Sequence, residues 1–187
     1  MDSGLVIGYH GCTARLVEDL LSGREPNLRP STSEYDWLGA GIYCWENSYH
    51  RAYEWADQHT PDGEEPAVVG LLIKPGRCMD LLDSAEIDML QQFADNIKNL
   101  YQLVGIDLPR NNGLRHDYDC MLINRYHRYV RRSRGVGYDT VRAAFMEGAR
   151  INEESHSDLF VRTHIQWAIC NPACIVGYFR PVPVQTS

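Results

Sequence analysis

The stretch YDWLGAGIYCWE, residues Tyr35 to Glu46, decides how this chain is read. Gly39, Ala40 and Gly41 carry almost no side chain, yet aromatic and acidic residues flank them closely. Glycine lets another group approach the backbone, so something must lie against this segment. Gly41 to Trp45 has strand character. Alternation sends Tyr43 to the face opposite Ile42, toward a cleft if Ile42 enters the core.

Upstream, Leu5-Val6-Ile7 reads as a short buried strand running into the turn Gly8-Tyr9-His10-Gly11. Thr13 caps a helix in which Leu16, Val17, Leu20 and Leu21 recur at helical spacing, and Gly23 stops it. Residues 24–37 are rich in Pro, Ser, Asn and Arg and read as a surface loop. Downstream, Asn47 or Ser48 caps a helix through about Gln58, with Ala52, Trp55 and Ala56 on one face. Ala67 to Ile73 is a buried strand bounded by Pro66 and Pro75. One or two helices fit Leu81 to Val104, a loop follows over 105–117, and another helix fits Tyr118 to Arg134. Three strand-like pieces, YDTVRAAF, HIQWAIC and CIVGYF, close the chain. The polar, acidic run from Met146 to Asp158 has the composition of an exposed functional loop. Dispersed short strands with no G-x-G-x-x-G speak against a doubly wound dinucleotide fold. They fit an α+β domain with a split antiparallel sheet and a helical insertion over 81–134.

Bulk properties narrow the function classes. The 187 residues, 44% apolar and 23% charged, suit one ordinary globular domain. No run approaches the roughly 18 apolar residues of a membrane span. The N-terminal MDSGLVIGYHG lacks the basic and extended apolar regions of a signal peptide, so the expected location is cytoplasmic, with no membrane partner. The six cysteines include no C-x-x-C pair. Cys170 and Cys174 lack companions for a tetrahedral site, so no metal is expected, and all six read as small buried hydrophobes in a reducing compartment. A net charge of −7 opposes wholesale coating of nucleic acid. The charge is uneven, however: Arg125, Arg128, Arg131, Arg132 and Arg134 crowd ten positions, interleaved with Tyr126 and Tyr129. Arg125, Arg128 and Arg132 form one helical stripe, suited to phosphates, and the tyrosines suit base stacking. A solvated face that balances an acidic protein is the other reading.

Three strand-borne stretches are candidates for chemistry. His10 ends a strand, beside Gly11. Tyr43 follows the small residues. Gln166 sits in an apolar strand, sharing a face with His164, and a buried amide needs partners. Each has a structural explanation when taken alone. Together, Tyr9-His10-Gly11, Gly39-Ala40-Gly41-Ile42-Tyr43 with Ala52, and Gln166-Trp167-Ala168-Ile169 with Ile175 and Tyr178-Phe179 resemble the ADP-ribosyltransferase superfamily. The likeness is to its branch of diphtheria-type toxins and poly(ADP-ribose) polymerases, and it covers most of residues 5–58 and 160–180.

The resemblance implies NAD as co-substrate. His10 would bind the adenosine ribose, and the Gly11 backbone would pair with the nicotinamide carboxamide. Tyr43 would stack on the nicotinamide ring, with Tyr49 or Tyr53 offering a second aromatic face. The flat ligand would then be what the small residues admit. Gln166 stands where the family commonly has glutamate. Cleaving the nicotinamide–ribose bond creates an oxocarbenium-like sugar, and exchanging a carboxylate for an amide can cost ~3–4 kcal/mol. Three options follow. Gln166 suffices for mono-ADP-ribosylation, a loop carboxylate (Glu147, Glu153 or Glu154) enters the site and activates the acceptor, or the chain only binds NAD or ADP-ribose. The expected function is transfer of ADP-ribose to a macromolecule, a protein before a nucleic acid, by a bacterial toxin or effector. An antitoxin partner, or a nucleic-acid acceptor in a toxin–antitoxin or phage-defence system, is the alternative.

Overall fold

The computed structural model describes residues 4–33, 36–113 and 115–182. Seven strands form one sheet: β1 (Val6–Thr13), β2 (Ile42–Glu46), β3 (Pro66–Ile73), β4 (Cys78–Asp80), β5 (Thr140–Phe145), β6 (His164–Ile169) and β7 (Ile175–Phe179). Their order is β4-β5-β6-β2-β1-β3-β7. All neighbours are antiparallel except β4 and β5. Four helices accompany them: α1 (Ala14–Leu21), α2 (Tyr49–His59), α3 (Ser84–Leu103) and α4 (Asp117–Arg134). The class is mixed α/β, compatible with α+β. Among the described residues no helix is long and apolar enough to cross a membrane.

Local chemistry explains the helix ends. The Thr13 hydroxyl accepts from Leu16 N and Asp83 accepts from Ala85 N, which satisfies first-turn donors. Gly135, at φ 75°, closes α4 in the left-handed region. Ser48 occupies the cap position of α2 without a side-chain cap bond.

The sheet is covered on both faces. On one, Val17 and Leu20 of α1 meet Ile42, Cys44, Leu71, Ile73, Trp167 and Ile169. On the other, α2 buries Ala52 against Trp45 and Val68, and α4 buries Ile123, Tyr126 and Val130 against Leu38, Val141 and Ala168. The expected helical insertion therefore divides. Its second helix is part of the core, whereas α3 has no buried residue.

The strands form one continuous sheet rather than the expected split one, with a seam between β1 and β2. β1 pairs with β3 along eight residues, from Val6↔Ile73 to Thr13↔Pro66. With β2 it pairs only at Gly8↔Glu46 and Tyr9↔Trp45. Beyond Tyr9 the two strands part.

Candidate functional site

His10, Gly11 and Tyr43 meet at that seam. The carbonyl of Ile7 accepts from Asn47 N at 3.1 Å, and Ala14 N donates to Glu65 on the opposite side. Odd-numbered β1 residues therefore turn their backbone groups toward β2. Continuing the register by two residues would set Gly11 opposite Tyr43. That pair is missing. The His10 Nδ1 instead donates to the Tyr43 carbonyl at 2.6 Å. Because a carbonyl only accepts, the proton lies on Nδ1 and Nε2 is the acceptor nitrogen. Burial lowers the His10 pKa against the opposing pull of this bond, so the ring is neutral at pH 7. Gly11 keeps an N–H and a C=O facing the seam with no β2 ladder partner.

Tyr43 and Gln166 stand on one sheet face. Tyr43 pairs with Ala168 and Trp45 with Gln166, which makes the phenol and the amide diagonal neighbours. The Tyr43 hydroxyl donates to the Gly39 carbonyl at 2.8 Å and accepts from Leu38 N at 2.9 Å, pinning the turn before its own strand. Burial, then the charge of Asp36, push its pKa up. The ring is half-buried beside the cluster formed with α4.

The small residues of 39–41 make room for protein rather than for a flat ligand, and here the expectation is corrected. Gly39 has φ 77°, and a Cβ there would lie 2.9 Å from the Asn124 Oδ1 of α4. A Cβ on Gly41 would lie 3.2 Å from the Ala168 backbone. Gly11 is likewise required by packing, since its Cβ would fall 2.2 Å from the Ala52 carbonyl oxygen of α2. Long-range neighbours set these glycines.

Trp37 covers Gln166, and His164 and Arg51 lie beside it along the strand and α2; the sequence reading selected none of the three as site residues. Trp37 Nε1 donates to the Gln166 Oε1, and its indole packs on Phe145 at 4.7 Å, so Trp37 covers the amide. His164, two residues before Gln166 on the same face, is 7% exposed. Burial lowers its pKa against the carbonyl of Arg162. Arg51, on α2, donates to Glu54 and to Glu147 Oε2 at 2.6 Å. Three nitrogens here are buried without a protein partner: Trp45 Nε1, Arg51 Nε and His164 Nε2. The one sequence signal was Arg51 beside Ala52, a cation next to the buried face of an otherwise amphipathic helix.

The loop acids separate. Glu147 is drawn to α2 by Arg51, with Arg162 3.9 Å from its other oxygen. Glu153 and Glu154 are exposed, and Glu153 accepts from Arg150 N within its own loop. Tyr49 and Tyr53 stack on each other at 6.3 Å, and Tyr49 meets Tyr9 edge-on at 5.9 Å. They belong to the aromatic group over β1, and among the described residues neither has a ring contact with Tyr43. Arg125 is held by α3, where it donates to the Tyr101 hydroxyl at 2.9 Å and lies over that ring. Arg128 and Arg132 are exposed.

The opposite sheet face carries a second polar network. Arg142 grips both oxygens of Glu46, at 2.8 and 3.1 Å, and reaches Asp80 at 3.2 Å. Trp167 Nε1 donates to Glu46 at 2.7 Å. Every carboxylate oxygen of Glu46 is used, which identifies a brace between β2, β4, β5 and β6. No protein-family model matches this chain, and neither a curated protein nor a solved structure does.

Proposed function

We propose that this chain is an NAD-dependent mono-ADP-ribosyltransferase that transfers ADP-ribose to a macromolecule. The observation that carries the reading is the seam. Gly11 presents one donor and one acceptor toward β2 without a ladder partner there, bordered by the neutral His10 imidazole and the Tyr43 strand. A primary carboxamide needs that pair of backbone groups, and an aromatic face suits the flat ring to which it is attached. His10 Nε2 is a fit acceptor for a ribose hydroxyl. The unpartnered N–H donors of Trp45 and Arg51 favour ligand oxygens, and His164 Nε2, left an acceptor by the Nδ1 bond to Arg162 O, suits a hydroxyl donor, because buried polar groups are normally hydrogen-bonded.

In this reading Gln166 orients the reacting ribose by accepting from a hydroxyl. Its oxygen already accepts from Trp37, and the second lone pair remains for the hydroxyl. The bond between nicotinamide and the ribose breaks with its electron pair leaving on nicotinamide. The acceptor adds to the same carbon and gives up a proton, for which Glu147 is the nearest loop carboxylate. Poly-chain elongation is not expected, since no carboxylate occupies position 166.

The test uses NAD labelled in its adenylate half, incubated with the chain and a cell lysate. Label should enter macromolecules, and Tyr43→Ala should abolish both labelling and NAD binding. Unchanged NAD affinity in Tyr43→Ala would remove this residue from the site.

A further inference from the structure

The arginines of α4 differ from the rest of the chain. Of sixteen arginines in the sequence, nine form salt bridges: Arg15, Arg24, Arg29, Arg51, Arg115, Arg142, Arg150, Arg162 and Arg180. Five of the other seven lie on α4. Arg128, Arg131, Arg132 and Arg134 are exposed, and none makes a salt bridge among the described residues. Elsewhere nine of eleven arginines are paired, whereas none of the five on α4 forms a salt bridge among the described residues.

Offsetting the helix dipole accounts for Arg131, Arg132 and Arg134, which lie in the last turn, but not for Arg128. That effect acts within the last turn, whereas Arg128 lies seven residues before the Gly135 cap. Tyr129 shares the stripe of Arg125, Arg128 and Arg132, and is 54% exposed. Its ring rests against Phe93 at 5.2 Å, which leaves it supported from beneath. Arg125 to Arg134 spans ~14 Å at ~1.5 Å per residue. At ~3.4 Å per nucleotide, that reaches about four phosphates. The same helix touches the candidate site, since Asn124 Oδ1 accepts from Ala40 N at 3.1 Å.

We infer that the exposed face of α4 binds a nucleic-acid strand, its arginines on phosphates and Tyr129 against a base. That this strand is the ADP-ribose acceptor rests on the transferase reading; the binding itself does not. An acidic peptide would meet the charges but would give the exposed tyrosine no planar partner, so a nucleic acid is the better fit.

The experiment measures anisotropy of labelled single-stranded RNA and DNA oligonucleotides titrated with the full chain, without NAD. Affinity should fall steeply between about 50 and about 200 mM salt. The triple variant Arg128→Ala, Arg131→Ala, Arg132→Ala should lose about 20-fold less affinity over that range, from three fewer single-strand phosphate contacts. Tyr129→Ala should weaken binding with an unchanged salt slope. The three arginines are exposed, so the triple variant should melt with the parent, and the unchanged salt slope separates base contact from any loss of Tyr129 packing on Phe93. Absence of binding, binding indifferent to the triple variant, or equal affinity for poly-glutamate would overturn the inference. With NAD left out, failure of the transfer reaction would not alter this result.

Discussion

Replacing Gly11 by alanine asks what the glycine is for. A Cβ at this position would lie 2.2 Å from Ala52 O and 3.1 Å from Ala56 N. Ordinary contact begins near 3.4 Å, so α2 must lift by about 1.2 Å or β1 must bend away. Both opposing atoms are backbone and cannot rotate aside. Overpacking costs ~1–3 kcal/mol, and this geometry belongs at the upper end. Gly11 has no positive φ, so the loss of unfolded-chain entropy returns ~0.4–1 kcal/mol. The net loss should be about 2–3 kcal/mol, or about 5–10 °C in Tm for a chain of this length. Differential scanning calorimetry of both proteins reads it directly. A glycine kept only for a ligand would behave otherwise: the alanine variant would melt no lower than the parent and would lose only NAD affinity. A Tm within about 2 °C of the parent would therefore refute the packing argument.

Three other expectations rest on separate parts of the molecule. Gln166→Glu keeps the acceptor for Trp37 and adds the missing charge beside the reacting sugar; nicotinamide release should rise by about two to three decades, and a clear slowing would mean that the amide itself is required. Arg142→Ala strands Glu46, and since both side chains are about one-fifth exposed or less, the loss in urea melts should be about 2–3 kcal/mol; a change below about 0.5 kcal/mol would remove the brace. Stability should also fall between pH 7.5 and 5.5. Burial holds His10, His127 and His164 below their ordinary 6.5, so the unfolded chain takes up protons first as pH drops through that value, which favours unfolding. Glu46 acts lower. Burial raises its pKa, but the Arg142 and Trp167 hydrogen bonds and the Arg142 charge outweigh that. Its contribution is present above the unfolded carboxylate pKa of ~4.3 and is lost as pH falls through its depressed folded value. Denaturant midpoints from pH 7.5 to 5.5 check the histidines and midpoints below pH ~4.3 check Glu46; flat midpoints in either range would contradict the corresponding effect.

Periodicity made most of the fold readable. The Thr13 cap, the AVVGLLI strand and the three closing strands carry their signals within a few residues. β4 did not: Cys78–Asp80 is three residues long, too short for alternation to register. Nor could local pattern divide the helical middle. The cluster of Leu38, Val141 and Ala168, far away in the chain, buries Ile123, Tyr126 and Val130 of α4 and takes Met89, Leu90 and Phe93 of α3 only in part. In the candidate site the residue types stood out, but the reasons for them did not. Gly11 is small because of Ala52, Gly39 because of Asn124, and Gln166 is satisfied by Trp37, 129 residues earlier. The Arg51–Glu147 pair joins a helix to a loop 96 positions on. Such contacts have almost no sequence signature (a cation beside the buried face of α2 was the one hint of Arg51), so Trp37 and Arg51 escaped notice while His10 and Tyr43, close to glycine, did not.

The most direct measurement is free nicotinamide, quantified over time after the purified chain is mixed with NAD. The account predicts release proportional to protein concentration and abolished in Tyr43→Ala. Nicotinamide that never rises above the protein-free rate would contradict it.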